Sequence, residues 1–219
     1  MTTSTTSRSV LLVAATEAEA AAIRPSLPGG PGGPGDPGNI DVLVTGVGMV
    51  ATAARCARAL ARTPYGLALN AGVCGAFDPS IPLGTVVHVV RDRIAELGAE
   101  DGEHFLTMTA IGLSADCVFV NTQPPENAAL RAIRQVEGIT VNTVHGHGPS
   151  IAAIVERFHP QVESMEGAGF MCACIDAGVP FAQIRAVSNL VERRNRSAWR
   201  LAEAIASLAE ATRRILERR

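Results

Sequence analysis

Lysine is absent from this sequence, and all 19 basic residues are arginines. This absence excludes a Schiff-base lysine, the lysine of a P-loop nucleotide site and a serine–lysine dyad. Charged residues make up only 18% of the chain and the formal net charge is −2, so no strongly basic surface is expected. Because binding to nucleic acid or to an anionic membrane depends on such a surface, the sequence predicts neither partner.

The sequence also lacks an uncharged apolar run of 18 residues, the length that a membrane-spanning helix needs. Its most signal-like stretch, residues 10–15, is followed at once by Glu17 and Glu19, which is atypical of a secretory signal. The cysteines form a poor disulfide framework, because their number is odd and they are scattered: Cys56, Cys74, Cys117, Cys172 and Cys174. We therefore predict buried free thiols in a reducing compartment and a cytoplasmic protein.

Apolar runs of strand length alternate with helix-length segments along the chain. Strands are predicted at 9–15, 40–45, 66–70, 83–90, 136–144 and 181–187, and helices at 49–62, 150–158, 197–218 and between Glu166 and Gly178. Residues 1–8 are expected to be a disordered tail, and residues 9–219 a single domain that contains a proline- and glycine-rich surface loop at 25–38. The polar stretch 91–105 is expected to be a loop long enough to act as a lid. The pattern predicts an α/β fold with a largely parallel mixed sheet flanked by helices on both faces.

The stretch from Val162 to Asn189 is the most informative part of the sequence. Glu163 and Glu166 precede an apolar helix, and a buried carboxylate such as Glu166 needs a partner. Ser188 and Asn189 follow an apolar strand, and ligands of open α/β sheets bind beyond the carboxyl ends of the strands. Asn189 is therefore a candidate ligand-reading residue. The alternative for Glu166 is a structural cap or ion pair.

Glu19 has two possible roles. Thr16 and Glu19 have the spacing of a capping box at the start of a helix. Glu19 also lies directly after the first strand, at the sheet edge where Asn189 is expected. A single carboxylate cannot easily perform both roles at once, and the sequence leaves the choice open.

Two other sequence patterns suggest a bound cofactor or metal ion, but each lacks a residue that such a site needs. The segment from Gly46 to Ala51 approaches a dinucleotide fingerprint, but no acidic residue follows about 20 positions later. His145 and His147 have no third ligand at a suitable spacing, so no metal site is predicted, and His88 is interpreted as a core residue. The sequence therefore predicts no cofactor.

Met165-Glu166 and the run Arg185-Ala-Val-Ser-Asn189 resemble motifs of the nucleoside phosphorylase/nucleosidase family. The resemblance extends over roughly residues 9–215. It implies the fold of that family, a homo-oligomer, and a small nucleoside as substrate. It further implies that Met165 and Glu166 hold the ribose, that Asn189 reads the purine and that Ser188 binds the substrate beside it. It also implies that Glu19 activates the attacking water, that Gly72 and Val73 lie beneath the nucleoside, and that Val144 and His145 line the base pocket.

Within this family, the fuller runs Val162–Ala168 and Ser188–Trp199 resemble the futalosine hydrolases more than the methylthioadenosine nucleosidases. Asn70 and Val73 stand where phosphorylases carry an arginine and a serine for phosphate, which favours water as the nucleophile. An amide at position 189 favours a 6-oxopurine such as hypoxanthine. The alternatives are a 6-oxopurine phosphorylase, an aminofutalosine or methylthioadenosine nucleosidase, and a non-catalytic nucleoside-binding protein. Candidate partners for the benzoate of futalosine are Arg91, Arg93, His104, Arg193, Arg194 and Arg196.

Overall fold

The computed structural model describes residues 9–28, 40–113 and 118–217. The expected tail at 1–8, most of the proline- and glycine-rich loop, and Cys117 lie outside the described residues. None of the helices within the described ranges is long and apolar enough to cross a membrane.

The described chain contains ten strands and six α-helices. The strands are β1 (Val10–Ala14), β2 (Ile40–Val44), β3 (Leu67–Ala76), β4 (Val86–Ile94), β5 (Gly98–Asp101), β6 (His104–Thr107), β7 (Val118–Val120), β8 (Arg134–Thr140), β9 (Val162–Ser164) and β10 (Phe181–Leu190). The helices are α1 (Glu17–Ile23), α2 (Met49–Arg62), α3 (Ala128–Arg131), α4 (Gly148–Phe158), α5 (Gly167–Ala177) and α6 (Leu201–Glu217). Short 3₁₀ turns precede β2 and α6, at Arg24–Ser26 and Arg196–Ala198.

The main sheet is mixed rather than largely parallel. Its strand order is β10-β4-β8-β9-β3-β1-β2, β7 pairs with β4, and β10 pairs with β3 as well, so five strands form a closed circuit. The pairs β1–β2, β1–β3, β3–β10, β4–β8 and β8–β9 are parallel, whereas β4–β10, β3–β9 and β4–β7 are antiparallel. The predicted sheet was mixed but largely parallel, and the structure corrects the second part, because β4 is antiparallel to β10 and β7 and β9 is antiparallel to β3.

Alternate side chains of β1 pack in two different clusters of the hydrophobic core. Val10 and Leu12 pack in a cluster that includes Leu208 of α6, whereas Leu11 and Val13 pack in a cluster with residues of α2 and α5. All five residues of β1 are buried. A continuous apolar run is therefore what this strand requires, since neighbouring side chains point to opposite sides of the sheet.

Several predicted elements need correction. The stretch 91–105 is not a loop: β4 continues to Ile94, and β5 and β6 form a hairpin. The strand predicted at 66–70 continues through the glycine-rich segment to Ala76, and the one predicted at 136–144 ends at Thr140. The helix predicted at 150–158, with Ser150 as its expected cap, begins earlier, at Gly148 after His147. Gly178 does end α5, with a φ of 64° that favours glycine.

Three cysteines and His88 lie in the core, as the sequence predicts. Cys56, Cys74 and Cys174 are buried free thiols, as predicted, but Cys172 is exposed on α5. His88 is buried in β4, its Nε2 atom has no hydrogen-bond partner, and burial lowers its pKa to about 4. It is therefore a neutral core histidine.

Candidate active site

Glu19 lies in the first turn of α1, directly after β1, and only 6% of it is exposed. Its Oε2 atom accepts hydrogen bonds from the Thr16 backbone (2.9 Å) and the Thr16 hydroxyl (2.8 Å), which completes the capping box. Its Oε1 atom accepts from the backbone N–H of Val73 in β3 at 3.2 Å. The expected conflict between two roles is thus absent, because one oxygen caps the helix while the other reaches across the sheet edge.

Glu166 is buried at the N-terminal end of α5. Its Oε1 atom accepts a hydrogen bond of 3.1 Å from the backbone N–H of Gly48, the residue that precedes α2. Its Oε2 atom lies 3.5 Å from Nη1 of Arg185. The carboxylate is therefore stabilised by the positive ends of two helix dipoles and by a guanidinium, which satisfies the need for a partner.

Arg185 pairs with Glu166 and lies close to Glu19, and the sequence did not indicate a role for it. It is 1% exposed, and its Nη2 atom donates to Oδ1 of Asn70 at 2.5 Å. A Cβ atom at Gly72 would lie 2.2 Å from Nη1 of Arg185 and 3.3 Å from Oε1 of Glu19. Position 72 therefore needs glycine because the guanidinium passes directly over its backbone. The available signal was a single charged residue within a buried strand, since such a charge requires a buried partner.

A buried polar chain continues from Arg185 to Asp92 in β4. Nε of Arg185 donates to Oε1 of Gln183 at 3.0 Å, and Nε2 of Gln183 donates to Oδ2 of Asp92 at 3.0 Å. Oδ1 of Asp92 accepts from the Thr140 hydroxyl at 2.9 Å, and that hydroxyl accepts from the Ala168 N–H at 2.7 Å. Burial raises the pKa of Asp92, whereas the hydrogen bonds from Gln183 and Thr140 lower it. These hydrogen bonds hold the guanidinium through Nε, whereas Glu166 lies near Nη1.

Asn189 lies at the carboxyl end of β10, where the sequence placed it. The register between β10 and β3 shifts between Val187 and Asn189, which pairs Asn189 with Gly75. Such a bulge re-aims the following side chain. A Cβ atom at Gly75 would lie 3.2 Å from Nδ2 of Asn189 and 3.6 Å from Cγ of Glu163, so the missing side chain brings these two groups together. The Ser188 hydroxyl lies 2.8 Å from Oδ1 of Asn189 and orients the amide.

A cavity of about 150 Å³ opens beside Asn189. Its wall includes Gly75, Val144, His145, Glu163, Arg194 and Trp199. Nδ1 of His145 lies 2.7 Å from Oε2 of Glu163, which is 4% exposed. The sequence analysis named Val144 and His145 for this pocket, but it did not connect Glu163 with His145, which lies 18 residues earlier.

Strand β3 connects the two ends of the site. Val73 contacts Glu19 and Gly75 contacts Asn189, and these two positions of β3 are about 7 Å apart along the strand. The residues expected to participate are thus brought to one edge of the sheet. Met165 is half-buried between Ser164 of β9 and Glu166, and it adds a thioether to the same turn.

The candidate partners for a substrate carboxylate are dispersed. Arg194 lines the 150 Å³ cavity and its guanidinium lies 5.2 Å from the Trp199 ring. Arg91 pairs with Glu137, and Arg93 lies over the Phe158 ring. His104 lines a second, larger cavity of about 500 Å³, which also touches His145 and contains Arg157. Within the described ranges, no cluster of three or more His, Cys, Asp and Glu side chains is arranged to hold a metal ion.

Comparisons with known proteins find a matching family model and similar sequences. A family model described as the phosphorylase superfamily matches residues 38–218. The futalosine hydrolase of Streptomyces coelicolor is 38% identical over 184 residues, 78% of this chain and 76% of that protein. The futalosine hydrolase of Thermus thermophilus is 34% identical over 180 residues, 80% of each chain.

The fold resembles that of solved nucleosidases. The 5′-methylthioadenosine/S-adenosylhomocysteine nucleosidase of Neisseria meningitidis, in complex with methylthio-immucillin-A, superposes with a TM-score of 0.78 at 17% identity and covers 96% of this chain and 99% of that one. The futalosine hydrolase of Helicobacter pylori gives a TM-score of 0.78 at 14% identity, over 96% and 98% of the two chains. The expected nucleoside phosphorylase-like α/β fold is therefore confirmed.

Proposed function

Because the chain belongs to the phosphorylase superfamily, we propose that it hydrolyses the N-glycosidic bond of futalosine, releasing hypoxanthine and dehypoxanthine futalosine for menaquinone biosynthesis. The observation that carries this proposal is the arrangement of two buried carboxylates near Arg185, at the sheet edge that also holds Asn189: Glu166 pairs with the guanidinium, and Glu19 meets it at Gly72. The similarity to two futalosine hydrolases over about four fifths of the chain supports the choice of substrate.

Cleavage of an N-glycosidic bond passes through a state with positive charge on the ribose, as in other glycoside hydrolyses. Glu166, which is anchored by Gly48 and Arg185, would accept hydrogen bonds from the ribose hydroxyls. Oε1 of Glu19 would take a proton from the attacking water, while Oε2 keeps the carboxylate in place through Thr16. Asn189 would donate to the 6-oxo group of the base.

The contacts of Arg185 and Asn70 favour water over phosphate as the nucleophile. Arg185 is shared among Glu166, Asn70 and Gln183, which leaves this cation little capacity for an inorganic dianion. The amide of Asn70 is occupied at both ends, because its Nδ2 atom donates to the carbonyl of Val13 at 3.2 Å. A phosphate at this place would lack the donors that phosphate binding requires.

We further propose that residues 9–219 form one nucleosidase domain, with helices on both faces of the sheet, and that the protein is a homo-oligomer. Val47 and Val50 support an oligomer, since they are 56% and 77% exposed next to Gly48 at the ribose end of the site. Covering such a surface with a second copy would remove apolar area from water.

The test is to identify the base that is released from futalosine, its 6-amino counterpart, inosine and methylthioadenosine, with and without phosphate. We expect hypoxanthine from futalosine at a rate that phosphate does not change. Faster release from the 6-amino substrate or from methylthioadenosine would assign the chain to the adenine-cleaving nucleosidases, and phosphate-dependent release would make it a phosphorylase.

A further inference from the structure

His145 and Glu163 form a shielded pair at the base end of the site, and the reaction described above gives this pair no role. Nδ1 of His145 lies 2.7 Å from Oε2 of Glu163, and the backbone N–H of His145 donates to Oε1 at 3.1 Å. Both oxygens of a buried carboxylate are thus engaged by one residue. The contact fixes the ring, because Nδ1–H donates to the carboxylate and Nε2 is left to exchange protons with a ligand.

The surroundings hold this imidazole in place at the cavity. The Phe77 ring packs edge-on against it with 6.0 Å between ring centroids, and the side chain is 13% exposed. The preceding loop is anchored because the backbone N–H groups of Asn142 and Thr143 donate to the carboxylate of Glu96. His145 lines the 150 Å³ cavity beside Asn189 and also touches the 500 Å³ cavity.

The proposed hydrolysis needs a proton donor at this end. When the bond between C1′ and N9 breaks, its electron pair passes to the purine, which leaves as a neutral base only if it gains a proton. The amide of Asn189 has no acidic proton to give. Glu19 cannot supply it either, since its contacts through Val73 place it at the ribose end, where it takes a proton from water.

We propose that His145, positioned by Glu163, donates this proton to the departing purine, an inference that rests on the proposed hydrolase activity. Nε2 of the imidazolium gives its proton to N7 as the glycosidic bond breaks. The water oxygen forms the new bond to C1′ and its proton passes to Glu19. After product release, solvent takes the proton from Glu19 and returns one to His145.

The experiment compares futalosine with its N7-methyl derivative, whose purine leaves as a neutral base without gaining a proton. His145→Gln should lower kcat for futalosine by roughly 10²–10⁴-fold, but kcat for the N7-methyl substrate by less than about tenfold. Glu163→Gln should show the same selectivity in a weaker form. Glu19→Gln should slow both substrates, because both need an activated water.

His147→Gln is the matched control, since this histidine lies two residues away in the same loop and is exposed. It should leave both rates unchanged, and thermal unfolding of every variant should verify that it is folded. Equal losses on the two substrates, or no loss on either, would overturn the role of His145 while leaving the hydrolase activity intact. A wild-type protein that does not cleave futalosine would overturn both proposals.

Discussion

The chain of hydrogen bonds from Arg185 to Asp92 has a fixed direction, which makes a precise prediction possible. Nε of Arg185 can only donate, so Oε1 of Gln183 must face it and Nε2 of Gln183 must face Asp92. Oδ1 of Asp92 accepts from the backbone N–H of Arg93 at 2.8 Å, a group that can only donate, and it also lies 2.9 Å from the Thr140 hydroxyl. Asp92 must accept on both sides, which an ionised carboxylate can do and an amide cannot.

Asp92→Asn therefore places an NH₂ group against another donor. The site has no room to adapt, because a Cβ atom at Gly167 would lie 2.1 Å from both Oδ2 of Asp92 and Oε1 of Gln183. We expect the free energy of unfolding to fall by about 1–3 kcal/mol, the cost of one unpaired buried donor. Gln183→Glu should be at least as costly, because two buried carboxylates would then face each other.

The double variant should recover much of this loss. The amide at position 92 would donate to the carboxylate at position 183, and that carboxylate would still accept from Arg185. We expect a favourable coupling energy of about 1–3 kcal/mol between the two substitutions, measured by urea unfolding. The coupling should also appear in kcat/KM, since Arg185 contacts Glu166. Asp101→Asn, on exposed β5, is the control and should change stability by less than about 0.5 kcal/mol. If the effects of the two substitutions on stability were additive, the fixed direction of these hydrogen bonds would be refuted.

Three further predictions concern single residues. Glu19→Gln should lower kcat for futalosine by roughly 10²–10⁴-fold with little change in KM, and a fully active variant would restrict Glu19 to its capping role. Asn189→Asp should lower the ratio of kcat/KM for futalosine over its 6-amino counterpart, and an unchanged ratio would mean that Asn189 does not contact the base. Burial lowers the pKa of His88 from 6.5 to about 4. The contribution of neutral His88 to the free energy of unfolding is therefore complete above about pH 6.5 and is lost as the pH falls towards 4, because the unfolded chain binds a proton there that the folded protein does not. The expected loss is about 3 kcal/mol, because the shift is about 2.5 pKa units and each unit corresponds to about 1.36 kcal/mol. Urea unfolding at several pH values should show this loss in the wild type and not in His88→Met.

The elements that the sequence predicted well are those with strong local signals. Helix α2 has the predicted bounds, since its apolar spacing follows two glycines and ends before Thr63 and Pro64. The capping box of Thr16 and Glu19 is likewise encoded within four residues. Asn189 could be placed because the carboxyl end of a buried strand is a general ligand position.

What the sequence did not reveal depends on contacts between distant segments. Arg185 meets Asn70 across 115 residues, and no local pattern announces that pairing. His145 and Glu163 lie on different elements, so their contact follows from the positions of β8 and β9. The polar composition of residues 91–105 predicts a loop, whereas the buried partners of Asp92, which are Thr140 and Gln183, allow β4 to continue through it.

Strand β3 has a consequence for local opening of the protein. It pairs with β1, β9 and β10, and Asn70, Val73 and Gly75 on it contact the two ends of the candidate site. Strands held on both sides usually exchange their amide hydrogens only when the whole domain unfolds. The floor of the site should therefore show the slowest hydrogen exchange in the molecule, even without ligand. Ligand-induced protection should instead be found in the loop from Asn142 to His147, which lies between β8 and α4 outside the sheet and borders the cavity.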